Sequence, residues 1–559
     1  MQLSDVRFDR YYKYDEMMAL LRAYSEHYPQ LVSLACMGKS WEGRDVPVLT
    51  LTNAKTGCAS SKPAMYIDAN MHAGEVTGST VALYTINYLL TRYALDESVT
   101  WLLDTRAFYI APRVNPDGAE KYLTTPAMLR SSVRPYPEED ILSRPGLWPE
   151  DIDGDGRILT MRLRDDEGGE WKISSKDPRL MLPRGIDDRK GAFYRLYQEG
   201  FVQQFDGEPF EVNTTPYALD TNRNFPANWN PRATQGGPYP ASEPEVRNIV
   251  EFVLAHQNIG VLEAYHTTGG IIFRSPYAYP DEQMDKEDFE TMMRIVRRGT
   301  QITGYPDVSS HGQSTATIVD WAYEHRGIIG FCTELWDILG RAGVPKQRDY
   351  SRASYTDWDE FERTQLMLLK WNDTELCGEG FIDWYKFAHP QLGEVELGGW
   401  EPKYVRQNCP PKFLEQECHK NMMWSFARAT ALPEIHQKLL SKKRVSEECF
   451  RVEVLIENRG YLATNISNKA VELGVAGAVK ATLVPGTNAE LAGGNHTLQI
   501  GHLHGYRQAH NGSIWAPPRP AMSAARATWL VRALSLPAQI EVQVSSERAG
   551  SKCLCVLLE

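Results

Sequence analysis

No stretch of this chain approaches the roughly 20 apolar residues that span a bilayer, and no tract of lysine and arginine marks a surface for nucleic acid or anionic lipid. The 559 residues carry 60 Lys+Arg against 72 Asp+Glu, a formal net charge of −12. The expectation is therefore no nucleic-acid partner and no membrane. The start, Met1-Gln2-Leu3-Ser4-Asp5-Val6-Arg7, lacks the apolar core of a signal peptide. Nine cysteines, from Cys36 to Cys555, follow no framework spacing. Cys553 and Cys555 are the only close pair, and one intervening residue suits neither a redox pair nor a zinc knuckle. An odd, dispersed set reads as reduced thiols, which points to the cytoplasm, although a secreted chain trimmed of its leader would look the same. There is no internal repeat and no low-complexity tract. What remains is ordinary globular composition, 42% apolar and 24% charged, over a length that implies at least two domains.

From residue 1 to about 375, strand-like runs alternate with helical periodicity, which predicts a mixed or parallel sheet covered by helices on both faces, an α/β/α body. Strands are expected at Val46–Leu51, Pro63–Ala69, Ala107–Pro112, Val261–Tyr265 and Ile328–Thr333, and helices at Tyr12–Glu26, Glu75–Tyr93, Met284–Ile302, Ala316–Tyr323 and Asp357–Trp371. Asn115-Pro116-Asp117-Gly118 reads as a turn. Ser242-Glu243-Pro244-Glu245 reads as a capping box opening a helix to about His256. Residues 119–219, rich in Pro, Asp and Gly, interrupt the pattern as an insertion. Residues 376–445 read as a mixed helical and loop connector with a helix near Phe413–Ala429. From 446 to 559 period-two alternation (Phe450, Val452, Val454, Ile456) predicts a C-terminal all-β sandwich.

His72 and Glu75, three apart after a buried strand, can turn toward one metal ion, although His-x-x-Glu alone is a common coincidence. Three further motifs give it weight: Asp220-Thr221-Asn222-Arg223-Asn224-Phe225, Tyr265-His266 and Thr333-Glu334-Leu335. They supply a third ligand, a carboxylate-binding arginine and a general base. Each lies at or just beyond a strand end, where open α/β sheets place their ligands. A catalytic zinc takes three protein ligands and leaves the fourth position open, so His72, Glu75 and His266 are a suitable set.

The order His-x-x-Glu, Asn-Pro-Asp-Gly, Asp-x-Asn-Arg-Asn, Ser-Glu-Pro-Glu, His, Thr-Glu-Leu resembles the M14 zinc carboxypeptidases over roughly residues 10–375. That resemblance implies a funnel-like α/β/α fold, one Zn2+ and release of the C-terminal amino acid from a peptide with a free terminal carboxylate. It implies that His72, Glu75 and His266 hold the zinc and that Asp220 orients His72 through its second ring nitrogen. Asn222 and Arg223 would clasp the substrate carboxylate. Arg130, with Arg134 as rival, would stabilise the oxyanion. Glu334 would act as general base on the zinc-activated water. Val319, with Thr317 and Cys332 nearby, would shape specificity toward an apolar or small side chain.

Two departures from the family pattern concern substrate. Gly74 stands where many relatives carry an arginine. The family's mobile tyrosine falls in this register on Gly312, so Tyr305 or His311 is expected to make its contact. Separately, Asp151, Asp153 and Asp155 lead an EF-hand-like segment with glycine at position 6 and isoleucine at 8, a candidate Ca2+ loop that would pin the insertion over the funnel rim. Its position 12 is Arg162, leaving Asp165, Asp166 or Glu167 to supply the missing oxygens; the bland alternative is a solvated acidic turn. The competing functions are an M14-like deacylase or cell-wall-peptide amidase and, from another class, an inactive binding protein that uses its β-sandwich.

Overall fold

The strands Ala64–Ala69 and Ile259–Thr267 are buried at every residue, which requires cover on both faces of their sheet. The computed structural model describes residues 3–136, 143–207, 209–213, 215–233, 235–312, 314–345, 357–509, 514–515 and 517–559. The two strands are neighbours at the centre of an eight-stranded mixed sheet. Its spatial order is Val32–Lys39, Asp45–Leu51, Ala107–Ala111, Ala64–Ala69, Ile259–Thr267, Ile329–Leu335, Ile271–Arg274, Asp307–Ser309. The four inner strands run parallel, so their carboxyl ends share one edge. On one face the helices Thr77–Arg92, Lys286–Thr303 and Pro411–Ala431 bury Leu83, Ile295 and Trp424 in a core shared with Met65, Val261 and Phe331. On the other, Pro244–Ala255 and Ile318–Arg326 bring Val246, Ile249 and Trp321 against Tyr66, Tyr109 and Leu262. The body is α/β/α, as the alternation of patterns indicates.

Two local readings change. Asn115-Pro116-Asp117-Gly118 is not a free turn but the start of a helix, Pro116–Thr124. Asn115 caps it by accepting from Gly118 N, and Pro116 occupies the first turn, where a missing N–H costs nothing. Ser242 and Glu245 do not form a capping box. The helix begins at Pro244 without a side-chain cap, because Ser242 donates to Glu243 Oε1 and Glu245 accepts from Trp41 N. Glu245 is spent on a tertiary contact, and Ser242 on its neighbour Glu243 and on Asn224 Nδ2, from which it accepts.

The insertion is largely a β structure. Its strands Thr160–Arg164, Trp171–Ile173, Met181–Pro183 and Phe193–Gln198 join Phe381–His389 and Gly393–Trp400 in one six-stranded antiparallel sheet. The segment expected to be a connector is therefore divided between two structures. Its hairpin completes the insertion's sheet through pairing of Gly393–Trp400 with Thr160–Arg164. Its helix Pro411–Ala431 lies on the central body against Thr77–Arg92 and Lys286–Thr303.

The C-terminal region starts at Ile435, earlier than its alternation suggested, and forms two four-stranded antiparallel sheets. One contains Ile435–Arg444, Cys449–Asn458, Ala524–Ala533 and Ala489–Gly493. The other contains Thr497–Gly501, Val479–Pro485, Ala538–Ser546 and Gly550–Leu558. Alternate residues such as Val452, Val454, Ala481, Leu483, Val542 and Val544 fill the space between them. The sandwich is keyed to the body by buried polar contacts. Arg548 donates to the carbonyls of Ile259 and Arg326. Asp288 accepts from Asn468 N at 2.7 Å and Lys469 N at 3.0 Å.

Candidate active site

At the carboxyl edge of the central sheet, His72 and Glu75 follow the strand Ala64–Ala69, and His266 ends the adjacent strand. All three are buried, and their ligand atoms lie within 4.8 Å of one another. His72 Nδ1 is 2.8 Å from Glu75 Oε1 and 3.1 Å from His266 Nδ1; His266 Nδ1 is 3.0 Å from Glu75 Oε2. Both imidazoles thus present the same nitrogen to the carboxylate. The other nitrogen of His72 meets Asp220 Oδ1 at 2.9 Å, which fixes its tautomer. Two imidazole nitrogens and a carboxylate are a donor set that fits zinc, and the Arg130 guanidinium lies against the same atoms, its Nη1 2.5 Å from His72 Nδ1. A second group, His266, Cys332 and Glu334, is also close. Burial pushes the Cys332 thiol well up, so it is a poor thiolate ligand and the first group is the better fit.

The loop holding these groups is tied down by residues the sequence reading did not assign. Asn115 Nδ2 donates to the carbonyls of Met71 and Ser131, joining the histidine loop to the Arg130 loop. Asn408 Oδ1 accepts from Thr77 N at 3.0 Å, and its amide donates to Gly74 O at 2.7 Å. The helix Thr77–Arg92 has no side-chain cap of its own, and Asn408 supplies one from outside. Asn-Pro at 115–116 is a helix-start signature that could have drawn attention to Asn115. No local signal marks Asn408.

Glu334 stands beside His266, its partner in the parallel strand register. Its Oε2 is buried without a hydrogen-bond partner among the described residues. Burial, then the neighbouring Glu75, push its carboxyl up to about 8, with Arg130 and His72 opposing. Burial also disfavours the ionised Glu75 and Asp220, but the histidines and, for Asp220, Arg130 and Arg223 overcome it and hold both acids well below the usual range. Arg130 Nη1 lies 2.7 Å from Glu75 Oε1, and its Nη2 lies 3.3 Å from Asp220 Oδ2. Its rival Arg134 points away, to Glu243 at 2.8 Å and over the Trp41 ring. Of the two, only Arg130 is placed at the cluster.

Asp220 accepts from Asn222 N, and Asn222 Oδ1 accepts from Ile318 N at 3.0 Å. Arg223 follows, donating to Asn222 O. Asp220, Asn222 and Arg223 are therefore brought to the cluster. Val319, in the first turn of the adjoining helix, is fully buried among Ile318, Trp321 and Leu262. His311 lies on an exposed turn after Asp307–Ser309, near enough to Asp281 to draw that carboxyl downward. Tyr305 is buried, and its hydroxyl contacts Glu417 and accepts from Trp336 N, so its phenol serves the core. Gly74 is explained by space. A Cβ there would lie 2.7 Å from Leu129 O and 3.0 Å from the Tyr122 ring, leaving no room for the arginine of the family pattern.

Asp151, Asp153 and Asp155 also cluster, but their oxygens cap their own turn, accepting from the backbone of Gly154, Gly156, Asp155 and Arg157. Arg162 pairs with Glu396, Asp165 with Arg195 and Asp166 with Arg164. Those carboxylates are committed to arginines, and the loop alone assigns no calcium.

The family model described as zinc carboxypeptidase matches residues 17–354, and a model described only as a domain of unknown function matches 434–554. Carboxypeptidase A2 of Rattus norvegicus is 25% identical over 351 residues, covering 60% of this chain and 64% of that protein. Carboxypeptidase M of Mus musculus is 33% identical over 111 residues, 20% of this chain and 25% of its own. Among solved structures, thrombin-activatable fibrinolysis inhibitor is 17% identical with a TM-score of 0.42, covering 76% of this chain and 75% of that one. The chain thus spans less than two thirds of the length of carboxypeptidase A2.

Proposed function

This chain belongs to the zinc carboxypeptidase family, and on that premise we propose that it is a zinc-dependent hydrolase that releases the C-terminal residue of a peptide. The observation that carries the reading is the convergence of His72, His266 and Glu75, backed by Asp220, beside a Glu334 carboxylate that keeps one oxygen without a hydrogen bond. Zinc, when bound by those three residues, supplies Lewis acidity that polarises the scissile carbonyl and acidifies water. Asn222 and Arg223 hold the terminal carboxylate, a task for which a guanidinium fork is suited. Glu334 takes the proton of the attacking water and delivers it to the leaving amine. Arg130 meets the charge that develops on the carbonyl oxygen. Asp220 keeps His72 in the tautomer that presents Nδ1.

Glu334→Gln tests the reading. With a blocked dipeptide, kcat/KM is expected to fall on the order of 10²–10⁴-fold, the typical contribution of a general base, while zinc per chain by plasma mass spectrometry stays at the parent level. Equal activity in the variant sinks the mechanism. N-acetyl amino acids run in parallel separate peptide hydrolysis from deacylation, the expected result being faster turnover of the dipeptide.

A further inference from the structure

We propose that the outer face of the C-terminal sandwich carries a metal site of its own, in which Cys553, Cys555 and Glu541 take a thiophilic cation of the zinc group. The strand Gly550–Leu558 is the edge of its sheet and pairs antiparallel with Ala538–Ser546. Its Leu554 and Val556 face the core. Period two therefore turns Cys553 and Cys555 outward on one face, where both are exposed free thiols. The register sets Glu541 directly opposite Cys555, and Gln543 opposite Cys553. Glu541 Oε2 is 3.5 Å from Cys553 Sγ and its Oε1 is 3.9 Å from Cys555 Sγ. The ligand atoms of the three residues all lie within 4.8 Å of one another.

Those spacings suit a metal. A tetrahedral zinc with bonds of about 2.3 Å to sulfur and about 2.0–2.2 Å to oxygen sets its ligands roughly 3.5–3.8 Å apart. One residue between two cysteines makes a poor site by itself, but the neighbouring strand supplies a third ligand that counting along the chain leaves out. A disulfide is the worse use of the pair. Two residues of strand span about 6.6–6.8 Å, the far limit of the Cα separation that a disulfide bridges. Charge points the same way. Among the described residues no lysine or arginine forms an ion pair with the half-buried Glu541, whose oxygens meet the two thiols and the Gln543 amide at 3.4 Å. Desolvation, then the hydrogen bond and charge of Glu541, push the Cys553 thiol up to about 11. A cation reverses the effect of Glu541, and a coordinated thiol ionises outright. Unlike Cys332, sealed in the central sheet, these thiols are open to an arriving hydrated ion. Coordination releases both thiol protons to solvent and leaves two thiolates and one carboxylate around the ion, with Gln543 steadying the carboxylate. The filled site cross-links the edge strand to its neighbour.

Cadmium is the probe, because thiolate-to-cadmium charge transfer absorbs in the ultraviolet and His72, Glu75 and His266 contribute no sulfur. Zinc-loaded, reduced protein is titrated with Cd2+, the softer ion, which thiolates prefer. The band is expected to saturate at one cadmium per chain. Cys553→Ser and Cys555→Ser should each move the midpoint at least about tenfold and the double variant should abolish the band. Glu541→Gln should move the midpoint about 10–100-fold while keeping the band. Melting temperatures without cadmium are expected to match the parent, since the substituted thiols are exposed, and this separates loss of a ligand from loss of fold. No band in the parent, or an equal band in the double variant, overturns the site. So does a Cys553–Cys555 disulfide that forms in air while the reduced protein binds no cadmium. The readout does not involve turnover, so failure of the proposed hydrolysis would leave this site standing.

Discussion

Gly74 and Asp68 show how single positions near the site are constrained by space and charge. Because a Cβ at Gly74 meets Leu129 O and Tyr122, Gly74→Ala is expected to lose about 1–3 kcal/mol of stability by overpacking and to weaken zinc binding by displacing Glu75. Thermal unfolding and a zinc competition titration would register both, and an unchanged variant contradicts the packing argument. Asp68 is fully buried beside Tyr66, and burial pushes its carboxyl up to about 8, against an ordinary value of about 4. A raised native pKa means that the stability linked to this proton is complete below pH 4 and is lost as pH rises through 8. Melting temperature should therefore fall as pH rises from about 4 to about 8 and level off above that, and Asp68→Asn should flatten that slope; parallel profiles would refute it. At this scale the sequence spoke clearly where chemistry is local. His72, Glu75, His266 and Glu334 could be picked out because each sits at or just after a strand end, whereas Asp220, which caps the short turn Thr221–Arg223 away from any strand, was legible only through the family resemblance. It misled at Tyr305, since burial against Glu417 depends on a helix more than a hundred residues away.

Among elements, the informative cases are termini whose partners come from elsewhere. The helix Thr77–Arg92 takes its cap from Asn408, 331 residues distant, so no local pattern could reveal it. Asn408→Ala removes that acceptor and the donor to Gly74 O together. It is expected to destabilise by about 1–3 kcal/mol and to lower kcat/KM by loosening Glu75, whereas Asn408→Asp, which keeps the acceptor, should recover part of the loss. Loss of stability with full activity would confine Asn408 to folding. The capping box expected at Ser242 failed for a related reason: Ser242 and Glu245 found better partners in Glu243 and Trp41. Periodicity located the long helices and central strands well. It could not see that the strands Phe381–His389 and Gly393–Trp400 belong to the insertion's sheet, because cross-strand pairing is set by register between distant segments and not by composition.

For the whole molecule, metal and fold should be thermodynamically linked, since the three candidate ligands come from the loop after one strand and the end of its neighbour, which only the assembled sheet brings together. Stripping zinc with a chelator is expected to lower the melting temperature, and restoring zinc to about 100-fold over its Kd should return roughly 2.7 kcal/mol; no shift would argue against a preformed site. The sandwich, clasped to the body through Arg548 and Asp288, should unfold in the same transition. The insertion's sheet adds a matter of timing. A ribosome adding about 5–20 residues per second takes roughly 10–40 s to travel from Gln198 to Gly393. Through that interval Thr160–Arg164 awaits the strand that will cover its edge, and a bare edge invites pairing with another chain. The insertion's sheet is thus also a long wait during synthesis, and the yield of soluble protein should respond to translation speed across residues 199–392.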